Sequence, residues 1–164
     1  MLSEKMEKAL NDQINEELYS AYLYLSMSAW FQAQNLKGFA KWMAIQFTEE
    51  QKHAQKFYDY IYDRLGAVKL QAIKEPPSSW SSPLAAYEDS FKHEQHITDR
   101  INMLYDMAGS DKDRATQEFL NWFVKEQVEE EASVDEYVQL LKIVGGNAQG
   151  LYLINKQAGA RGGD

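Results

Sequence analysis

The chain has 164 residues, with 25 acidic against 17 basic side chains and no cysteine. That length fits one domain, 1–164, large enough to be held by its own core. The missing cysteine excludes disulfides, thiolate zinc sites and iron–sulfur ligation, and the formal charge of −8 argues against nucleic acid and for metal cations as partners.

Glu4, Lys5, Glu7 and Lys8 crowd the N-terminus, so no apolar leader is expected there. No apolar run approaches the roughly 20 residues that a membrane helix needs. The expected setting is cytoplasmic, with no membrane partner.

Prolines occur only at Pro76, Pro77 and Pro83, and the long stretches on either side carry apolar residues at helical spacing. Residues 4–34 form the first predicted helix, with Leu10, Ile14, Glu17, Ala21, Tyr24, Ser28 and Phe31 along one seam. Asn35 to Gly38 breaks it. Residues 37–65 form the second, with Phe39, Met43, Gln46, Glu50, His53, Phe57 and Tyr60. The long stretch from Gly66 to Pro83 reads as a crossover that makes the second and third helices parallel. The third helix, 83–109, has Leu84, Tyr87, Phe91, Glu94, Thr98, Ile101 and Tyr105 on its seam. Gly109, Ser110 and Asp111 supply a helix end and an N-cap. The fourth helix, 112–145, carries Leu120, Phe123, Gln127, Glu130, Val134, Tyr137 and Leu141. Four such seams predict an all-α four-helix bundle around one core. A short helix, 148–158, follows. Its consecutive Leu151, Tyr152, Leu153 and Ile154 are expected to bury against other subunits, and Gly159 to Asp164 reads as a frayed tail.

Six polar residues interrupt the seams near mid-helix: Glu17, Glu50, His53, Glu94, Gln127 and Glu130. Ionised glutamates enter cores only when paired or bound to metal, and four together would repel strongly in a low dielectric. Two or more cations would remove that conflict. Glu17 lies about as far before the first turn as Glu50 and His53 lie after it, and Glu94 and Gln127 bracket the second turn in the same way. A glutamate from each of two helices plus Glu-x-x-His motifs from the others is the pattern of di-iron bundles. Here Glu50-x-x-His53 is intact and the other motif is varied to Gln127-x-x-Glu130. Glu49, Glu126 and Glu129 crowd the same level, which favours a further cation site. Tyr24 and Trp122 stand beside the cluster, as core aromatics or as electron donors. His93 and His96 flank Glu94 off its seam and read as surface or interface residues.

The set Glu17, Tyr24, Glu49-Glu50-x-x-His53, Glu94 and Glu126-Gln127-x-Glu129-Glu130 resembles the ferroxidase centre of prokaryotic non-haem ferritins. The likeness spans about the whole chain. It implies a ferritin-like bundle with a short fifth helix, assembled as a homo-oligomeric shell of 24 subunits that stores ferric mineral. It implies that Glu17, Glu50 and His53 hold one iron, and that Glu50, Glu94 and Glu130 hold a second. A third iron would lie among Glu49, Glu126, Glu129 and Glu130, with Gln127 beside the pair. The implied oxidant is dioxygen or peroxide. Bacterioferritins are similar but carry histidine at Glu130 and a haem-binding methionine at Gln51, so no haem is expected. Animal ferritins have channel acids at positions corresponding to Gln117 and Leu120, which this chain lacks. Two other readings stay open: a di-iron peroxidase or oxygenase of the same superfamily, and a helical interaction module without metal.

Overall fold

The computed structural model describes residues 1–162. Among them the chain forms five helices: α1 (Glu4–Ala33), α2 (Lys37–Asp63), α3 (Pro83–Ser110), α4 (Arg114–Val144) and α5 (Ala148–Gly159). Their ends follow capping chemistry. Ser3 accepts from the Met6 N–H at the start of α1, with Glu4 and Glu7 favourably placed in the positive first turn. Ser82 caps α3 ahead of Pro83, and Asn147 caps α5 through the Gly150 N–H. Asn35 ends α1 with φ 58°, a left-handed conformation that asparagine tolerates.

The turn expected at Gly109 lies further on. α3 continues through Ser110, and the missing Cβ of Gly109 leaves room for the Gln117 side chain. The cap of α4 is Asp113, which accepts from the Thr116 N–H. Arg64, just past α2, grips both Asp113 oxygens at 3.0 Å and so pins the end of α2 to the start of α4.

Cross-helix pairs give the topology. Ser28 meets Ala40, Tyr24 meets Ser90, Gln46 meets Glu130 and Tyr60 meets Thr116. Each set of neighbours therefore runs antiparallel, and α2 and α3 are parallel. The crossover tracks α1 from start to finish: Ala67 and Lys69 bond to Asn11, Gln71 and Ala72 to Asn15, and Pro77 to Ser26. It ends with Trp80 edge-on to Trp30. Backbone groups without a ladder are thus met by α1 side chains.

The core is in two parts. One holds Tyr24, Phe31, Phe39, Trp42, Tyr87 and Tyr137; the other holds Leu10, Phe57, Ile61, Ile101, Leu104 and Phe123. A belt of buried polar residues lies between them.

α5 packs on α2 and α4. Leu36, the residue before α2, offers no side-chain cap, and Asn155 of α5 accepts from the Phe39 N–H at 3.0 Å instead. Only part of the apolar run turns inward: Ile154 is buried and Leu151 half-buried, while Tyr152 and Leu153 are 63% and 58% exposed. The tail is not frayed up to Arg161, whose side chain bonds back to α2; Gly163 and Asp164 lie outside the described residues. Among the described residues no helix is long and apolar enough to cross a membrane.

Candidate metal centre

The polar belt is built from all four long helices. Glu17 from α1, Glu50 and His53 from α2, Glu94 from α3, and Gln127 and Glu130 from α4 are all buried. Glu17, Glu50 and His53 bring a ligand atom each within 4.8 Å of one another, and His53, Glu126 and Glu130 do the same. His53 belongs to both groups. Its Nδ1 lies 3.1 Å from Glu50 Oε2 and its Nε2 3.7 Å from Glu126 Oε1. Trp122 and Phe123 meet its ring edge-on and fix its plane.

Glu94 joins neither group. It accepts from the Tyr24 hydroxyl and from Gln127 Nε2, the latter at 3.2 Å. Tyr24 is also paired with Ser90 at 2.9 Å. The further acids separate. Glu126 turns to His53, Glu49 is bound by Arg161 at 2.8 Å, and Glu129 is exposed.

Two glutamines and two arginines complete the belt. Gln13 donates to Glu17 Oε1 at 2.8 Å and accepts from Arg100 Nε at 2.9 Å. Gln46 donates to Glu130 Oε2 at 2.7 Å and accepts from Arg161 Nη1 at 2.6 Å. In each case the arginine takes the amide oxygen, so the amide N–H faces the carboxylate. Gln46 stood on the predicted seam as a polar residue. Gln13 lay off it, and only the fold reveals that it is fully buried.

Burial raises the carboxyl pKa values. It lifts Glu94 to about 7, against the hydrogen bonds from Tyr24 and Gln127. Burial, and next the Glu94 charge, lift Glu130 to about 8. Glu50 rises well above the carboxylate range through burial and then the charges of Glu94, Glu17 and Glu130. Glu17 is raised chiefly by burial, and its carboxyl is hydrogen-bonded to that of Glu50; no amide, hydroxyl or ring N–H of the described residues meets its buried Oε2. An oxygen met only by a second carboxyl, beside an imidazole, suits a divalent cation.

The two histidines expected at a surface or interface differ. His93 is half-buried at the edge of a cleft that it lines with His96 and Glu16. Its Nε2 lies 2.6 Å from Ser20 Oγ, and burial lowers its pKa to about 4. His96 is exposed and pairs with Glu16. Leu120 is fully buried in the core, so it lines no channel. A cleft of about 620 Å³ lies between α1 and the crossover, lined by Glu4, Lys8, Asp12 and Lys69, remote from the carboxylates.

The ferritin-like domain model matches residues 7–144. A bacterial non-heme ferritin from Bacteroides fragilis is 44% identical over 161 residues, covering 98% of this chain and all of that one. A bacterial non-heme ferritin from Staphylococcus aureus is 41% identical, covering 98% of this chain and 97% of that one. The solved open-pore ferritin of the hyperthermophilic archaeon Archaeoglobus fulgidus superposes with a TM-score of 0.98 at 50% identity, covering 99% of this chain and 100% of that one. A humanized archaeal ferritin superposes with a TM-score of 0.99 at 48% identity, covering 100% and 99%. With the family model covering most of the chain and relatives above 40% identity along nearly its whole length, this chain belongs to the ferritin family.

Proposed function

We propose that this ferritin subunit oxidises Fe(II) at the buried Glu17, Glu50, His53, Glu94 and Glu130 cluster, with dioxygen or peroxide as oxidant. The ferric product is then stored inside a shell of 24 copies in the cytoplasm. The observation that carries this reading is the convergence of carboxylates from α1, α2 and α4 on His53, with Glu94 of α3 buried in the same belt.

Iron is the substrate here, and the chain's own groups prepare for it. Glu17, Glu50 and His53 offer the first position. Glu50, Glu94 and Glu130 offer the second, with Glu50 shared between them. Glu94 is held by Tyr24 and Gln127, and its charge, after burial, does most to raise both Glu50 and Glu130, so it stands beside the second position. Arriving cations displace the protons that burial holds on Glu94 and Glu130. Two electrons, one from each Fe(II), reduce dioxygen to hydrogen peroxide or peroxide to water. Carboxylate oxygens suit the ferric product. Tyr24, hydrogen-bonded to Glu94, and Trp122, edge-on to His53, stand where either could supply a further electron. A third iron lies among Glu126, Glu130, Glu49 and Glu129. Haem is not part of the proposal. Gln51 stands where bacterioferritins carry methionine, and it is exposed.

The test is to mix chelator-treated protein with Fe(II) under oxygen in a stopped-flow absorbance instrument, then size the protein by light scattering and count retained iron. The proposal expects a burst with two irons per chain, a particle of 24 subunits and iron eluting with it. Oxidation without retained iron would favour a di-iron oxygenase instead.

A further inference from the structure

Arg161 lies beyond α5, yet its side chain is only partly exposed, at 25%. It is anchored on three sides. Nη1 donates to Gln46 Oε1 at 2.6 Å, Nη2 donates to Glu49 Oε2 at 2.8 Å, and the guanidinium lies 4.7 Å from the centre of the Trp42 ring. Lys41 donates to the Gly159 carbonyl at 3.0 Å and holds the preceding turn against α2. A tail with no task at the site would leave a rotamer-rich side chain in solvent. Here it is spent on two α2 side chains beside the candidate centre. Gln46 donates to Glu130 directly, and Glu49 is the neighbour of Glu50.

We propose that Arg161 is a positioning residue for the third cation position: docked, it occupies Glu49 and fixes Gln46 on Glu130, so an ion gains the Glu49 carboxylate only by displacing the tail. This rests on the ferroxidase reading and assigns the exchange step of that reading to the C-terminal segment. A guanidinium bonded to a carboxylate competes with any cation for the same oxygen. The third position is thereby kept weak. Ions that reach it are passed on rather than trapped.

Calorimetric titration of the assembled, chelator-treated protein with Zn(II), a redox-inert divalent probe, tests this. The comparison takes wild type, Arg161→Ala, Arg161→Lys, Glu49→Gln and the double variant Arg161→Ala with Glu49→Gln. Removing the guanidinium is expected to tighten the weakest class of Zn(II) sites by about tenfold, the scale of one charge-assisted hydrogen bond. Lysine, which cannot hold both partners in one plane, gives a smaller tightening and serves as the comparison if alanine prevents assembly. In the Glu49→Gln background, alanine at 161 is expected to change nothing, because the competitor's target is already gone. No tightening in Arg161→Ala or Arg161→Lys overturns the proposal. So does an equal tightening with Glu49→Gln, which would reduce Arg161 to a diffuse charge. Wild type with a two-ion class whose weaker class ignores residue 161 overturns this inference alone; wild type with no two-ion class removes the ferroxidase reading as well.

Discussion

Gln13 and Gln46 hold equivalent stations on α1 and α2: each takes an arginine N–H on its amide oxygen and gives an amide N–H to a buried glutamate, Glu17 or Glu130. The outer carboxylates of the belt are thus held in place without metal. Gln13→Met removes the donor to Glu17 and the acceptor of Arg100 while keeping the volume. It is expected to lower metal-free stability by about 1–3 kcal/mol, the range for leaving buried polar groups unsatisfied. Thermal melting with chelator present checks this, and an unchanged melt would show that water replaces the amide.

The belt also sets a pH dependence. Glu94 and Glu130 are raised from 4.5 to about 7 and about 8 in the folded chain. Between pH 4.5 and 8 the folded state therefore binds more protons than the unfolded state, and stability falls as pH rises. The contribution is complete below pH 4.5 and is lost as pH passes through 7 to 8. Asp113, held below its usual range by Arg64, acts oppositely and only at lower pH. The metal-free protein is expected to melt lower at pH 8.5 than at pH 5.5. Glu94→Gln is expected to flatten that slope: little gain at pH 5.5, and a gain of about 1 kcal/mol or more at pH 8.5. A gain independent of pH would mean that Glu94 is not the titrating group.

The acids around the third position are not equal. Glu126 lies 3.7 Å from His53 Nε2, whereas Glu129 is exposed. Glu126→Ala is expected to weaken the third ion more than Glu129→Ala does, and both should spare the initial two-iron burst. Anaerobic Fe(II) titration followed by stopped-flow oxidation separates the two effects. Equal losses would show that Glu129 swings in when metal arrives.

α5 rests on a close approach to α2. A Cβ at Gly38 would stand 1.7 Å from the Asn155 carbonyl oxygen, so Gly38→Ala must push α5 away. Asn155→Ala loses only the cap on the Phe39 N–H, a cost of about 1 kcal/mol. Gly38→Ala is expected to be the more damaging in melting temperature and in shell size by light scattering. The reverse order would place the value of α5 in the cap.

The sequence carries much of this architecture. Every seam position chosen on α1 and α4 is buried, because charged or apolar, those residues keep strict helical spacing. α3 is different. Phe91, Thr98 and Tyr105 were expected inside, yet Ser90, Ile97 and Leu104 hold the core. Continuing the 4-and-3 alternation through Glu94 leads to Phe91, Thr98 and Tyr105, and the spacing could not foresee that the Tyr24 hydroxyl takes Ser90 as partner. The glutamates and His53 were legible because charge on a seam is anomalous. Arg100 and Arg161 were not, since each acts on a glutamine 87 or 115 residues away and neither interrupts an apolar pattern.

The most direct measurement is iron-edge anomalous diffraction from crystals soaked anaerobically in Fe(II). The account predicts one peak among Glu17, Glu50 and His53 and a second among Glu50, Glu94 and Glu130. Iron peaks confined to surface acids would contradict it.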